Sequence, residues 1–135
     1  MKRALLGLLA VMMLVMSACG DATIAVVVPL VEPPSITLSD IYIDGGREVV
    51  GGIVNFFAPD SDIDTMTVAV FDSRGELISR TTTLIDLPGV IQGTIPFSIG
   101  YGNRDFLIDT LTLSVYLTDF NGFTSNVVVS TFLVP

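Results

Sequence analysis

The chain contains no histidine and no tryptophan, and its single cysteine is Cys19. Beyond Cys19 lysine is missing as well, because the only one is Lys2. These absences remove the imidazole base and metal ligand, the thiolate nucleophile and the Schiff-base amine together. Serine–histidine and serine–lysine hydrolase chemistry is thereby excluded beyond Cys19, and no second cysteine is present to form a disulfide. Positive charge is scarce too. Six Lys and Arg stand against fourteen Asp and Glu over 135 residues, a formal net charge of −8. Lys2 and Arg3 lie before Cys19 and no acid does, so the remainder has four arginines against fourteen acids, a net of −10. A nucleic-acid partner is not expected, because binding a polyphosphate needs a basic footprint.

What is present falls into two parts. Met1-Lys2-Arg3 is a short basic stretch, followed by an apolar run over residues 4–16 and the small pair Ser17-Ala18 before Cys19. This is the layout of a secretory signal peptide, and the run is shorter than the roughly 20 residues a membrane-spanning helix needs. Met16-Ser17-Ala18-Cys19 resembles the lipobox of bacterial lipoproteins, with Met16 standing where that family prefers leucine. The resemblance implies cleavage before Cys19, acylation of its thiol and attachment to a membrane through the lipid anchor. More than one acyl chain is needed for firm attachment, at about 0.8 kcal/mol per buried methylene. Gly20 follows the cysteine, where retention at the inner membrane of enteric bacteria favours aspartate, so the resemblance points to the outer membrane of a Gram-negative cell envelope.

Residues 19–34 read as the lipidated N-terminus and a tether, closed by Pro33-Pro34. The apolar stretch 24–31 within it also suits an edge strand broken by Pro29. From residue 35 to 135 the pattern is β throughout, with Gly, Asp and Asn at turn positions and no helical period. Strands are predicted over 36–43 with a bulge near Ser39-Asp40, over 49–58 with a bend at Gly51-Gly52, and over 66–70, 77–84, 95–99 and 111–117. A last strand returns through Val127, Val129, Thr131 and Leu133. Pro96 confines its strand to an edge or a bulge. About seven short strands at spacings near ten residues predict an all-β domain, a single immunoglobulin-like antiparallel β-sandwich, with a barrel as the competitor. The alternation of Leu111, Leu113, Val115 and Leu117, the turn Asp119-Phe120-Asn121-Gly122 and Ser125 resemble the last hairpin of bacterial immunoglobulin-like, cadherin-like and fibronectin-like modules. Such a resemblance speaks to fold and not to function.

Asp60, Asp62 and Asp64 alternate in the connection before the third predicted strand, and their oxygens suit Ca²⁺, with Asp119 or Asn121 approaching from another loop. The spacing resembles calcium loops of cadherin-like domains. It is not an EF-hand, because Thr65 and Phe71 occupy the places of its glycine and bidentate glutamate. The competing reading makes these aspartates caps for turn N–H groups. Paired carboxylates also admit a glycosidase reading, but no feature isolates one acid in an apolar pocket. Tyr42, Tyr101, Phe106, Tyr116, Phe120 and Phe123 fall near loops or on nominal outer faces. Phe120 and Phe123 flanking the last turn, and Tyr101 with Arg104 in the loop from Gly100 to Arg104, are the candidate binding residues; closing the ends of the sandwich is their other role.

These observations lead to a lipid-anchored bacterial envelope protein whose immunoglobulin-like domain is a non-catalytic binding or structural module. Its expected partner is another envelope protein or a polysaccharide. The alternative is a calcium-dependent adhesion or carbohydrate-binding module using Asp60, Asp62 and Asp64.

Overall fold

In a computed structural model of the chain, the described residues are 32–60, 62–102 and 109–134. The expected leader, residues 19–31 of the expected tether, Arg104 and Phe106 lie outside them. The strands are β1 (Ser35–Asp44), β2 (Val49–Phe57), β3 (Asp62–Phe71), β4 (Leu77–Pro88), β5 (Gln92–Gly100), β6 (Asp109–Asp119) and β7 (Val128–Val134). They form a three-stranded sheet in the order β1-β2-β5 and a four-stranded sheet in the order β4-β3-β6-β7, antiparallel throughout. The fold is the expected all-β sandwich, with three strands in one sheet and four in the other.

Strict alternation explains β6. Leu111, Leu113, Val115 and Leu117 are buried while Thr112, Ser114, Tyr116 and Thr118 between them are half-buried on the outer face. Successive strand side chains point to opposite faces, and the register sets Leu113 beside Val70, Val115 beside Val68 and Leu117 beside Met66. Ile36, Val50, Val54, Phe56, Ile95, Phe97 and Ile99 of the other sheet complete one continuous core with them.

β7 has the opposite phase from the one expected. Phe132 is buried and Val128 and Val134 are half-buried, whereas Val127, Val129 and Leu133 are exposed. Pairing decides it: Leu111 faces Phe132, Leu113 faces Ser130 and Val115 faces Val128. The expected bulge of β1 is present as a register shift between Ser39 and Tyr42, with Asp40 at φ 50. Gly51-Gly52 keep unbroken register with Ser98 and Phe97 on β5, while the register shift of β1 between Ser39 and Tyr42 falls opposite them. These glycines instead admit aromatic rings. A Cβ on Gly51 would lie 2.5 Å from the Tyr42 ring, and one on Gly52 would lie 3.1 Å from the Phe97 ring. Pro96 sits on β5, an edge strand, where its missing N–H is tolerated. β4 runs four residues beyond its predicted end at Leu84, with Asp86 at φ 48 between Ile85 and Leu87, which pack against the core.

Candidate functional site

Antiparallel pairing of Ile63 with Asp119 carries the start of β3 and the end of β6 to one end of the sandwich. β2 finishes there, and β1 begins there with Ser35 opposite Phe57. Asp60, Asp62, Phe120, Asn121 and Phe123 therefore share that end with the point where the described chain enters the domain. The Phe120 N–H donates to the Asp62 carbonyl at 3.0 Å and ties the two loops together.

Each carboxylate here has a local role. Asp60 Oδ2 accepts the Glu32 N–H at 3.0 Å, and Asp62 Oδ2 accepts from Asn121 Nδ2 at 2.9 Å. Asp119 Oδ1 accepts the N–H groups of Asn121 and Phe123 at 2.9 and 2.8 Å. The same turn is closed by bonds from the Asp119 N–H to the Phe123 carbonyl and from the Gly122 N–H to the Asp119 carbonyl, with Gly122 at φ 86. Asp119 is only 1 % exposed, and its Oδ2 has no hydrogen-bond partner. Burial, and then the charges of Asp119 and Asp60, hold the Asp62 carboxyl above its ordinary value.

Of the expected calcium set of Asp60, Asp62, Asp64 and Asp119, the charges of Asp60 and Asp119 act on Asp62. Among the described residues no three acidic side chains come together as a metal-holding group. Alternate residues share a face only within a regular strand. Asp60 precedes β3, however, and Asp64 lies where the register of β3 shifts between Ile63 and Thr65. Capping of backbone N–H groups is the role that Asp60 and Asp119 carry. It recurs at the opposite end, where Asp72 Oδ1 accepts the N–H groups of Arg74 and Glu76 at 2.9 and 2.8 Å around Gly75 at φ 80. The two Asp-x-x-Gly turns, at residues 72–75 and 119–122, are copies of one device: a turn followed by a left-handed glycine.

Phe120 and Phe123 are 53 % and 46 % exposed, and Phe57 and Ile91 are exposed at the same end. Tyr101 must be corrected. It lies at the other end, buried, with its N–H donating to the Glu48 carbonyl at 2.9 Å and its ring 6.2 Å from that of Phe132. Burial, followed by the carboxylates of Glu48 and Asp44, keeps its hydroxyl above the ordinary tyrosine value. A loop position does not reveal that the side chain folds back onto β7. Arg104, its expected companion, lies outside the described residues.

Two surface depressions among the described residues, of about 530 and 430 Å³, are lined by Phe71, Asp72, Ser73, Gly75, Thr110 and Thr112 and by residues of β1 and β2 with Asn126. Neither gathers the candidate residues. Sequence reasoning missed Asn126, whose Oδ1 accepts the Ile36 N–H at 2.8 Å and whose Nδ2 donates to the Ile36 carbonyl at 2.9 Å. It clamps β1 of one sheet to the start of β7 in the other, and no local pattern announces it.

No protein-family model matches the chain, and no curated protein matches it. Among solved structures, it is similar to a β-glucuronidase of Parabacteroides merdae at 18 % identity and a TM-score of 0.41, over 73 % of this chain and 13 % of that one. The chain thus spans about an eighth of that enzyme's length. It is also similar to the putative ApaA protein of Bordetella pertussis at 17 % identity and a TM-score of 0.38, over 77 % of this chain and 95 % of that one.

Proposed function

We propose that this protein is a lipid-anchored component of a bacterial envelope whose immunoglobulin-like sandwich is a non-catalytic module for binding or scaffolding. The observation that carries the reading is the run from Lys2-Arg3 through the apolar stretch 4–16 to Ser17-Ala18-Cys19, ending on the only thiol in the chain. An exported protein with one unpaired cysteine gains from acylation, which removes a reactive thiol and supplies the anchor. Supporting it from the domain are the missing histidine and post-leader lysine, and exposed Phe120 and Phe123 on a turn held by Asp119. Loops on a rigid sandwich are suited to presenting such side chains to another envelope protein or a polysaccharide.

The test is Cys19→Ala in the full chain, followed by membrane fractionation and intact mass. The unsubstituted protein should sediment with membranes and carry acyl mass on a polypeptide beginning at Cys19. The variant should lose the added mass and leave the membrane fraction. A variant that stays with membranes with its leader uncut would replace the lipid anchor with an uncleaved apolar one.

A further inference from the structure

Among the described residues the sandwich has four edge strands, β1 and β5 in one sheet and β4 and β7 in the other. An edge strand presents unpaired N–H and C=O groups and templates pairing with another strand unless something blunts it. Three edges are blunted. β1 has a register shift beside Asp40 at φ 50 and carries Asp40 and Asp44. β4 carries Arg80, Asp86 at φ 48 and Pro88, with two register shifts against β3. β5 contains Pro96, which cannot donate.

β7 has none of these devices. Val128–Val134 reads VVSTFLV, without charge, proline or glycine, and its seven pairs with β6 run without a shift. Among the described residues β6 is its sole ladder partner. Its outer face is apolar, with Val127, Val129 and Leu133 exposed at 55, 59 and 63 %.

We propose that β7 pairs antiparallel with β7 of a second copy of this chain across a two-fold axis at Thr131, joining two four-stranded sheets into one of eight. Charge admits this occupant. Two copies with a net charge of −8 each repel, so their contact must lie where no carboxylates are brought together, and residues 120–134 contain no charged side chain. Register fits as well. A two-fold at Thr131 sets Val129 against Leu133 of the second copy on the outer face and the two Thr131 side chains against each other. It sets Phe132 against Ser130 and Val128 against Val134 on the inner face. Apolar and threonine pairs of this kind stabilise antiparallel strands. A slip of one residue would set outward side chains against inward ones. The contact is isologous and closes at two copies. One strand pair is smaller than a standard interface of about 1,600 Å², so the dimer is reversible and rises with concentration.

Because the chain has no cysteine besides Cys19, disulfide trapping reads the register directly. In the full chain with Cys19→Ala, Thr131→Cys should oxidise to a dimer faster than Val129→Cys or Leu133→Cys alone, while the double Val129→Cys/Leu133→Cys variant should also cross-link. Opposed Cα atoms in antiparallel strands, about 4.5–5.5 Å apart, are within disulfide reach. Ser73→Cys, at the far turn, reports random collision. In sedimentation equilibrium, Val129→Lys should weaken self-association about tenfold through two lost cross-strand pairs, with an unchanged circular dichroism spectrum. Thr131→Cys cross-linking no faster than Ser73→Cys overturns the proposal. So does a monomer at every concentration with Val129→Lys without effect, and the edge would then serve a strand of a different protein.

Discussion

At Asp119 one carboxylate oxygen accepts two backbone N–H groups while the other is buried with none. Hydrogen bonds to a charged group contribute about 1.5–3 kcal/mol each, and a buried charged oxygen left without a partner offsets part of that. Asp119→Ala should therefore destabilise the domain by about 2–4 kcal/mol. Asp119→Asn keeps an acceptor for both N–H groups and removes the buried charge, so its cost should stay below about 1 kcal/mol. Urea denaturation of both variants measures the difference; an equal loss would assign the stability to the charge rather than to the cap. The Asp-x-x-Gly spacing is legible in the sequence, and the turn at Asp119-Phe120-Asn121-Gly122 stands where it places it. That the carboxylate is almost wholly buried is not legible, because Asp119 pairs with Ile63 of β3, more than fifty residues away.

Among the elements, β6 and β7 differ in how much their own residues say. In β6 only one phase is apolar, so its inward face follows from composition. In β7 the residues Val127, Val129 and Leu133 compete with Val128, Phe132 and Val134, and both phases are apolar. Pairing with β6 resolves the tie and leaves the losing set in solvent, the origin of the exposed edge proposed to meet its own copy. β1 depends on distant chemistry too. Asn126→Ala removes both bonds to Ile36 and should cost about 1–3 kcal/mol. Hydrogen exchange should quicken at the Ile36 and Leu38 amides while β3 and β6 keep their protection. Uniform acceleration in all strands would mean that the clamp supports the whole domain rather than one edge. The two glycines of β2 carry a similar lesson. Their chain neighbours suggest only a bend, whereas Tyr42 and Phe97, from strands on either side, require that no Cβ stand in the way of their rings.

Over the whole molecule, acidity sets the response to pH. Asp62 has its carboxyl raised by burial and then by Asp119 and Asp60, so the folded chain holds that proton more tightly than the unfolded chain does. Its contribution to stability is fully present below the unfolded value and is lost as pH rises through the folded one. Asp62→Asn should accordingly raise the melting midpoint at pH 7 while keeping an acceptor for Asn121. The advantage over the unsubstituted chain should shrink as pH falls through the carboxylate range. A difference between the two melting curves that is independent of pH would remove Asp62 as the source.

The amino-acid sequence alone determines the local terms: strand and turn content through alternation and Asp-x-x-Gly spacing, the edge position of a proline-bearing strand, and the chemistry that missing histidine and lysine exclude. Tertiary structure decides what depends on partners remote in the chain. It buries Tyr101 beside Phe132 of β7, hands β1 to Asn126 and picks the inward phase of β7. The physical reason is that a strand's period states only that neighbouring side chains face opposite ways. Which way is inward, and whether two carboxylates meet, is fixed by register across the sheet and by the layer packed on it.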